Sequence, residues 1–280
     1  MARGRSRAPW LLAVALGSVT GLSGAAYGLL SNQAQRARAV IGRPKGEPHN
    51  ADGLYLPDGR GPVLDNPKDR HRDGQRVLTF AVFGDSSAAG VGADTAAELP
   101  GVLLAQGLAE ESGRPVRLVT HAVSGSRTAD LPVQVNRALP DPPEVALIMI
   151  GGNDVTSRTR VDVSARLLGA EVGRLRAAGV ALLVGTCPDL GTITPIAQPL
   201  RSVARRWSLA LAAAQQRELD RLRVAWVSMG DLLMPEFVSR PELFSADRFH
   251  PSGAGYAAAA NLLLAPLCAV AGVRGHTRAA

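Results

Sequence analysis

The sequence predicts an α/β domain in three layers, α/β/α, around a five-stranded parallel sheet. From Arg76 onward, five short β-rich runs alternate with five longer stretches of helical period, the order that βαβ units produce. The short runs are apolar almost without interruption, as strands covered on both faces must be. Each run stops at, or a few residues before, small polar residues, where a parallel strand hands the chain to its crossover.

Before that domain the chain reads as two segments. Residues 1–30 have the pattern of a signal anchor or signal peptide: Arg3, Arg5 and Arg7 precede a stretch, 8–30, with no charged side chain. About 23 residues are enough to cross a bilayer at roughly 1.5 Å per residue. Ser23-Gly24-Ala25-Ala26 offers a cleavage site, but the apolar run continues through Tyr27-Gly28-Leu29-Leu30, which favours an uncleaved anchor. Arg36, Arg38, Arg43 and Lys45 follow the span. The first arginines abut it, which puts the amino terminus in the cytoplasm and the domain outside. The expected location is the cell envelope, extracytoplasmic, membrane-anchored or secreted. Residues 31–75 read as a linker in which Pro, Gly and charges recur after a short helical extension near 31–41. Its apolar islands, Leu54-Tyr55-Leu56 and Val63-Leu64, could dock on the domain surface.

The domain itself runs 76–272, with a tail at 273–280. Strand-like runs occupy 77–83, 116–123, 145–150, 180–185 and 224–228. Helical period fills about 95–112, 128–138, 160–178, 200–221 and 253–271.

Composition narrows the function classes. A hydrophobic fraction of 46% in 280 residues supports a sizeable core. Aromatics at 4%, with no compact basic stripe, argue against nucleic-acid binding, whereas a net charge of +7 suits an anionic membrane surface. No Cys-x-x-Cys exists and no two histidines have metal-ligand spacing, so neither a metal nor a cofactor is expected. Cys187 and Cys268 are either buried thiols or, in an oxidising compartment, a disulfide.

Ligands of a parallel sheet bind at the carboxyl ends of its strands. Those ends carry Gly84-Asp85-Ser86, Ser124-Gly125-Ser126, Gly151-Gly152-Asn153-Asp154, Thr186-Cys187-Pro188-Asp189 and, by a longer connection, Asp247-Arg248-Phe249-His250-Pro251. Each has a plainer reading alone: Asp85 and Ser86 as a helix cap, Asp247 as a turn residue, His250 as a helix flank, Asn153 as a left-handed residue. Together they hold what acyl transfer requires. Ser86 is a nucleophile in need of a base, with Ser87 beside it as the alternative. His250 is that base, and Asp247 can fix its tautomer. The Ser86 and Gly125 backbone N–H groups and the Asn153 amide are oxyanion donors.

These blocks, in this order, resemble the GDSL, or SGNH, hydrolases over about residues 77–270. Phe83-Gly84-Asp85-Ser86-Ser87, Ser124-Gly125, Gly151-Gly152-Asn153-Asp154 and Asp247-Arg248-Phe249-His250-Pro251 carry the likeness. The resemblance implies a flavodoxin-like sheet of strand order 2-1-3-4-5, Ser86 rather than Ser87 as nucleophile, Gly125 and Asn153 in the oxyanion hole, and Asp247 with His250 completing the triad. Two departures stand out: Ser87, where many members have Leu, and His121-Ala122-Val123, where an Asn is often found. The expected activity is hydrolysis of an acyl ester, lipid or acylated glycan. The alternatives are a carbohydrate O-acetyl esterase or thioesterase, or a cell-envelope binding or scaffold protein. Arg201, Arg205 and Arg206 either rim a pocket or form a solvated helix face.

Overall fold

The computed structural model describes residues 27–42, 48–64, 66 and 70–273. Most of the expected anchor (1–26), the segment 43–47 and the tail from 274 lie outside the described residues. The chain opens with a helix at 27–41, α1, and then strand β1, Gly53–Tyr55. A small hairpin, β2 (His71–Arg72) and β3 (Gln75–Arg76), leads into the central strand β4, Leu78–Gly84. There follow α2 (Pro100–Ser112), β5 (Val116–Thr120), α3 (Leu131–Ala138) and β6 (Val145–Met149). Next come α4 (Gly152–Thr156), α5 (Val161–Ala177), β7 (Ala181–Gly185) and α6 (Leu200–Leu222). The chain closes with β8 (Ala225–Val227), α7 (Met229–Ser239) and α8 (Gly253–Val270).

The main sheet has the order β1-β5-β4-β6-β7-β8. Its five parallel strands follow the expected 2-1-3-4-5 order. Side-chain alternation along them separates two cores. Phe80, Val82, Leu118 and Leu147 face α2 and α8, where Leu104, Leu108, Leu263 and Leu267 meet them. Ala81, Phe83, Ile148 and Val184 face the other way, onto Leu131, Val135, Leu168, Val172 and Leu219 of α3, α5 and α6. Burying each large apolar side chain contributes about 1.5–3 kcal/mol, and a one-residue register slip would exchange the two faces, so the pattern fixes where each strand ends.

Two features differ from the sequence reading. The sheet has a sixth strand: β1 pairs antiparallel with β5 and covers its edge, inside the segment read as linker. Tyr55 is fully buried there, with its hydroxyl donating to the Ala51 carbonyl at 2.6 Å. Leu54 bridges Val63 and packs with Leu56 and Val77, whereas Leu64 is exposed. The helix α7 lies in the stretch read only as a longer connection between the fifth strand and Asp247. It is started by Ser228, whose Oγ accepts from the Asp231 N–H at 3.3 Å. Cys187 and Cys268 are both buried free thiols in separate core clusters, the first of the two readings given for them.

Candidate active site

The turn after β4 is built around Gly84. Its φ is +139°, and a Cβ there would lie 1.9 Å from the Met149 carbonyl oxygen. Glycine lets β4 and β6 close at this point and turn the chain outward. Buried Gln134, from α3, clamps the same residue: its Oε1 accepts from the Gly84 N–H and its Nε2 donates to the Gly84 carbonyl, both at 2.8 Å. Gly84→Ala is expected to cost about 3 kcal/mol or more, because backbone rather than a flexible side chain must move. A lowered urea midpoint would measure it.

Past Gly84, the Ser86 side chain meets His250. Ser86 Oγ lies 3.0 Å from His250 Nε2, and His250 Nδ1 lies 2.6 Å from Asp247 Oδ2. The loop bearing His250 is held by Asp247 itself. Its Oδ1 accepts from the Phe249 N–H (2.8 Å), the His250 N–H (2.9 Å) and the Ser245 hydroxyl (2.8 Å). Arg248 takes a left-handed φ of 55° to close this turn. Burial alone would raise the Asp247 carboxyl. The bonds from the His250 ring and the His250 and Phe249 backbone outweigh it and hold the group well below the usual carboxylate range. Phe249 braces the imidazole edge-to-face at 4.8 Å. Tyr256 of α8 donates to the Val91 carbonyl at 2.6 Å, tying α8 to the nucleophile loop.

The loops after β5 and β6 are also joined. His121 and Ala122 N–H groups both donate to the Val82 carbonyl, and Val123 N–H donates to that of Gly84, so the chain still tracks β4 beyond the end of β5. Gly125 follows with φ +84° and open space where a Cβ would stand. Its neighbour Ser126 accepts from Asn153 Nδ2 on its carbonyl (3.1 Å) and from Gln134 on its hydroxyl (3.2 Å). Beneath, the buried Asp154 Oδ2 accepts from the Thr128 N–H and hydroxyl, and Thr128 bonds Ser164. Gln134, Thr128 and Ser164 carried no signal in the sequence, because their roles depend on partners far along the chain.

Ser86, Ser87 and Asn153 lie on the wall of a pocket that is otherwise largely apolar, with Ile150, Leu190, Ile193, Leu233, Phe237 and Phe249 among its lining. Asp189 also lines it and is bound by the exposed Arg205, Nε to Oδ2, at 3.1 Å. Of the three arginines singled out in the sequence, Arg205 thus reaches a pocket residue.

Asp85, next to the serine, has an electrostatic character opposite to that of Asp247. Burial pushes its carboxyl up from 3.8 to about 6. The Ser87 N–H and nearby His250 oppose the rise, and Asp154 adds to it. The folded group therefore keeps its proton to higher pH than the unfolded one. Stability falls as pH rises between 3.8 and about 6, and the full cost is present above that. Asp85→Asn keeps an acceptor for Ser87 and is expected to raise stability at pH 7 by up to about 3 kcal/mol, with little change near pH 4. Urea denaturation at the two pH values tests this; an equal loss at both would overturn it.

The profile of the GDSL-like Lipase/Acylhydrolase family matches residues 82–258. The chain is 42% identical over 267 residues to the GDSL-like esterase Rv1075c of Mycobacterium tuberculosis, covering 91% of this chain and 82% of that protein. Among solved structures, the lipase/acylhydrolase from Enterococcus faecalis superposes with a TM-score of 0.56 at 19% identity, over 71% of this chain and 99% of that one. A catalytic mutant of the acetylxylan esterase Axe2 from Geobacillus stearothermophilus does so at 0.54 and 18% identity, over 75% of this chain and 100% of that one. The two structures show the shared three-layer fold; the family match spans every loop that meets at Ser86, and with it the chain belongs to the GDSL-like lipase/acylhydrolase family of ester-bond hydrolases.

Proposed function

We propose that the chain is a serine esterase that works through an acyl-enzyme, with Ser86 as nucleophile and Asp247 and His250 completing its triad. His250 Nε2 takes the Ser86 hydroxyl proton as Oγ attacks the acyl carbon. The carbonyl electron pair moves onto its oxygen, which the Ser86 N–H, the Gly125 N–H and Asn153 Nδ2 stabilise. Collapse expels the alkoxide, which leaves as the alcohol with the proton from Nε2. Water then enters: His250 takes its proton, the hydroxide adds to the acyl carbon, and the second collapse returns the proton to Ser86 Oγ and frees the acid. Asp247 stays ionised throughout and stabilises the imidazolium.

The observation that carries this reading is the hydrogen-bonded series Ser86–His250–Asp247 beside an apolar pocket. The apolar lining favours the acyl part of an ester, whether lipid or acylated glycan, as the group bound there. The uncharged N-terminal segment supports a membrane-associated, extracytoplasmic enzyme. A p-nitrophenyl acyl ester series with wild type and Ser86→Ala tests the chemistry. Turnover of at least one chain length is expected for wild type, and none above the Ser86→Ala level on any chain length would overturn the proposal.

A further inference from the structure

The apolar pocket has a second neighbour that the esterase reading does not use: α1. Among the described residues this helix covers 27–41, so it includes Tyr27 to Leu30 of the uncharged stretch 8–30. Its contact with the domain is narrow. Ala37 is its one buried residue, in a cluster with Val155, Leu190, Ile193 and Ile196, and the half-buried Ile41 packs against the same cluster. Gln33 grips the start of α6: its Oε1 accepts from the Leu200 N–H at 3.1 Å, and its Nε2 donates to the Gln198 carbonyl. The bond to Leu200 satisfies one of the N–H groups that a helix start leaves open. Near the head of α1, the Arg158 guanidinium lies over the Tyr27 ring, 5.6 Å from its centroid.

Leu190 and Ile193 are also pocket lining, so α1 rests one side-chain layer outside the pocket. Core burial holds the helix only lightly. One buried alanine and one half-buried isoleucine together contribute about 1–3 kcal/mol. What α1 does instead is join this wall to the end of the uncharged stretch. From Leu30 to Ala37 the helix rises about 10 Å, an upper bound on their separation along the membrane normal whatever the tilt. The headgroup layer of a bilayer is itself about 5–7 Å deep on each side. Arg36 and Arg38 of α1, with Arg158 and Arg160 from the loop beside it, are exposed. Arg160 is paired with Asp162, and the other three offer positive charge at the depth of anionic headgroups, where Tyr27 is a residue type also found.

We propose that α1 is a juxtamembrane strut that holds the acyl pocket against an anionic bilayer, so that the enzyme takes its ester from the membrane itself. This rests on the esterase reading and names the substrate class: an amphiphilic ester resident in a lipid surface. A tether of flexible chain would let the site wander tens of ångströms from the membrane; a docked helix does not.

The test uses the full chain in phosphatidylcholine–phosphatidylglycerol vesicles. Two probes are compared: a long-chain acyl ester of 4-methylumbelliferone dissolved in those vesicles, and p-nitrophenyl acetate in solution. Two variants carry an insertion between Leu30 and Ser31, one a flexible Gly-Ser spacer, the other a helical spacer of equal length. Both are expected to lower the vesicle-ester rate at least about fivefold, through reduced effective concentration at the surface, while the acetate rate stays at the wild-type level and reports an intact site. Vesicle-ester rates equal in wild type and both variants would overturn the strut while leaving the esterase intact. So would recovery from cells of an active wild-type chain cleaved ahead of Tyr27 and free of membranes. Absence of both activities from wild type would instead overturn the esterase reading, and the strut with it.

Discussion

Ser86→Ala is expected to lower kcat on a p-nitrophenyl ester by at least about three orders of magnitude, and Ser87→Ala to change it by less than about threefold. Both serines line the pocket, so exposure does not separate them. Geometry does. Ser86 Oγ stands 3.0 Å from His250 Nε2, whereas Ser87 spends its backbone N–H on Asp85 Oδ1 at 3.1 Å and its hydroxyl has no described contact with the imidazole. A hydroxyl without a base is a weak nucleophile at neutral pH, so only the first can attack at a useful rate. The same logic sets the double variant: Ser86→Ala with His250→Ala should be no slower than either alone, because the two act in one step. Steady-state kinetics on purified variants reads all three. A large loss in Ser87→Ala with Ser86→Ala near wild type would reverse the assignment.

Much of this site was legible in the sequence because residue type and topology act together there. A serine, a glycine, an asparagine and an Asp-x-x-His each close a parallel strand or the connection from one, and a parallel sheet gathers those ends on one edge. No alignment was needed to see that Ser86, Asn153, Asp247 and His250 would converge. What holds them was not legible. Gln134 is a polar residue on an amphipathic helix until Gly84, fifty positions away, is seen to need both its amide groups. The strand inside the segment read as linker was hidden for a similar reason. Leu54-Tyr55-Leu56 is a short apolar island between glycines and prolines, and only the unpaired edge of β5 makes Gly53–Tyr55 a strand. Short edge strands take their identity from the partner rather than from their own propensity.

Asp247→Asn is expected to reduce kcat by about three to four orders of magnitude. The carboxylate accepts from four groups: the imidazole Nδ1–H through one oxygen, and the Ser245 hydroxyl with two backbone N–H groups through the other. An amide can accept through only one of its two ends. If its oxygen keeps the backbone donors, its NH2 faces Nδ1, which must then accept; the proton moves to Nε2, and the ring no longer takes one from Ser86. If the amide turns over, the ring is satisfied and the loop loses its acceptor. The variant should therefore lose stability as well as turnover, by about 1–3 kcal/mol at pH 7. Its pH dependence has the sign opposite to that of Asp85→Asn. The Asp247 carboxyl lies below its ordinary 3.8 in the folded chain, so its contribution is fully present above that value and is lost as pH falls through the lowered one. Wild type and Asp247→Asn should thus converge in stability under acid, whereas wild type and Asp85→Asn should diverge as pH rises toward neutrality. Two aspartates near one imidazole, one held ionised by hydrogen bonds and one driven toward its neutral form by burial, are then distinguishable by urea denaturation at three pH values. Parallel curves for the two variants would mean that at least one of the two carboxylates lacks the environment described for it.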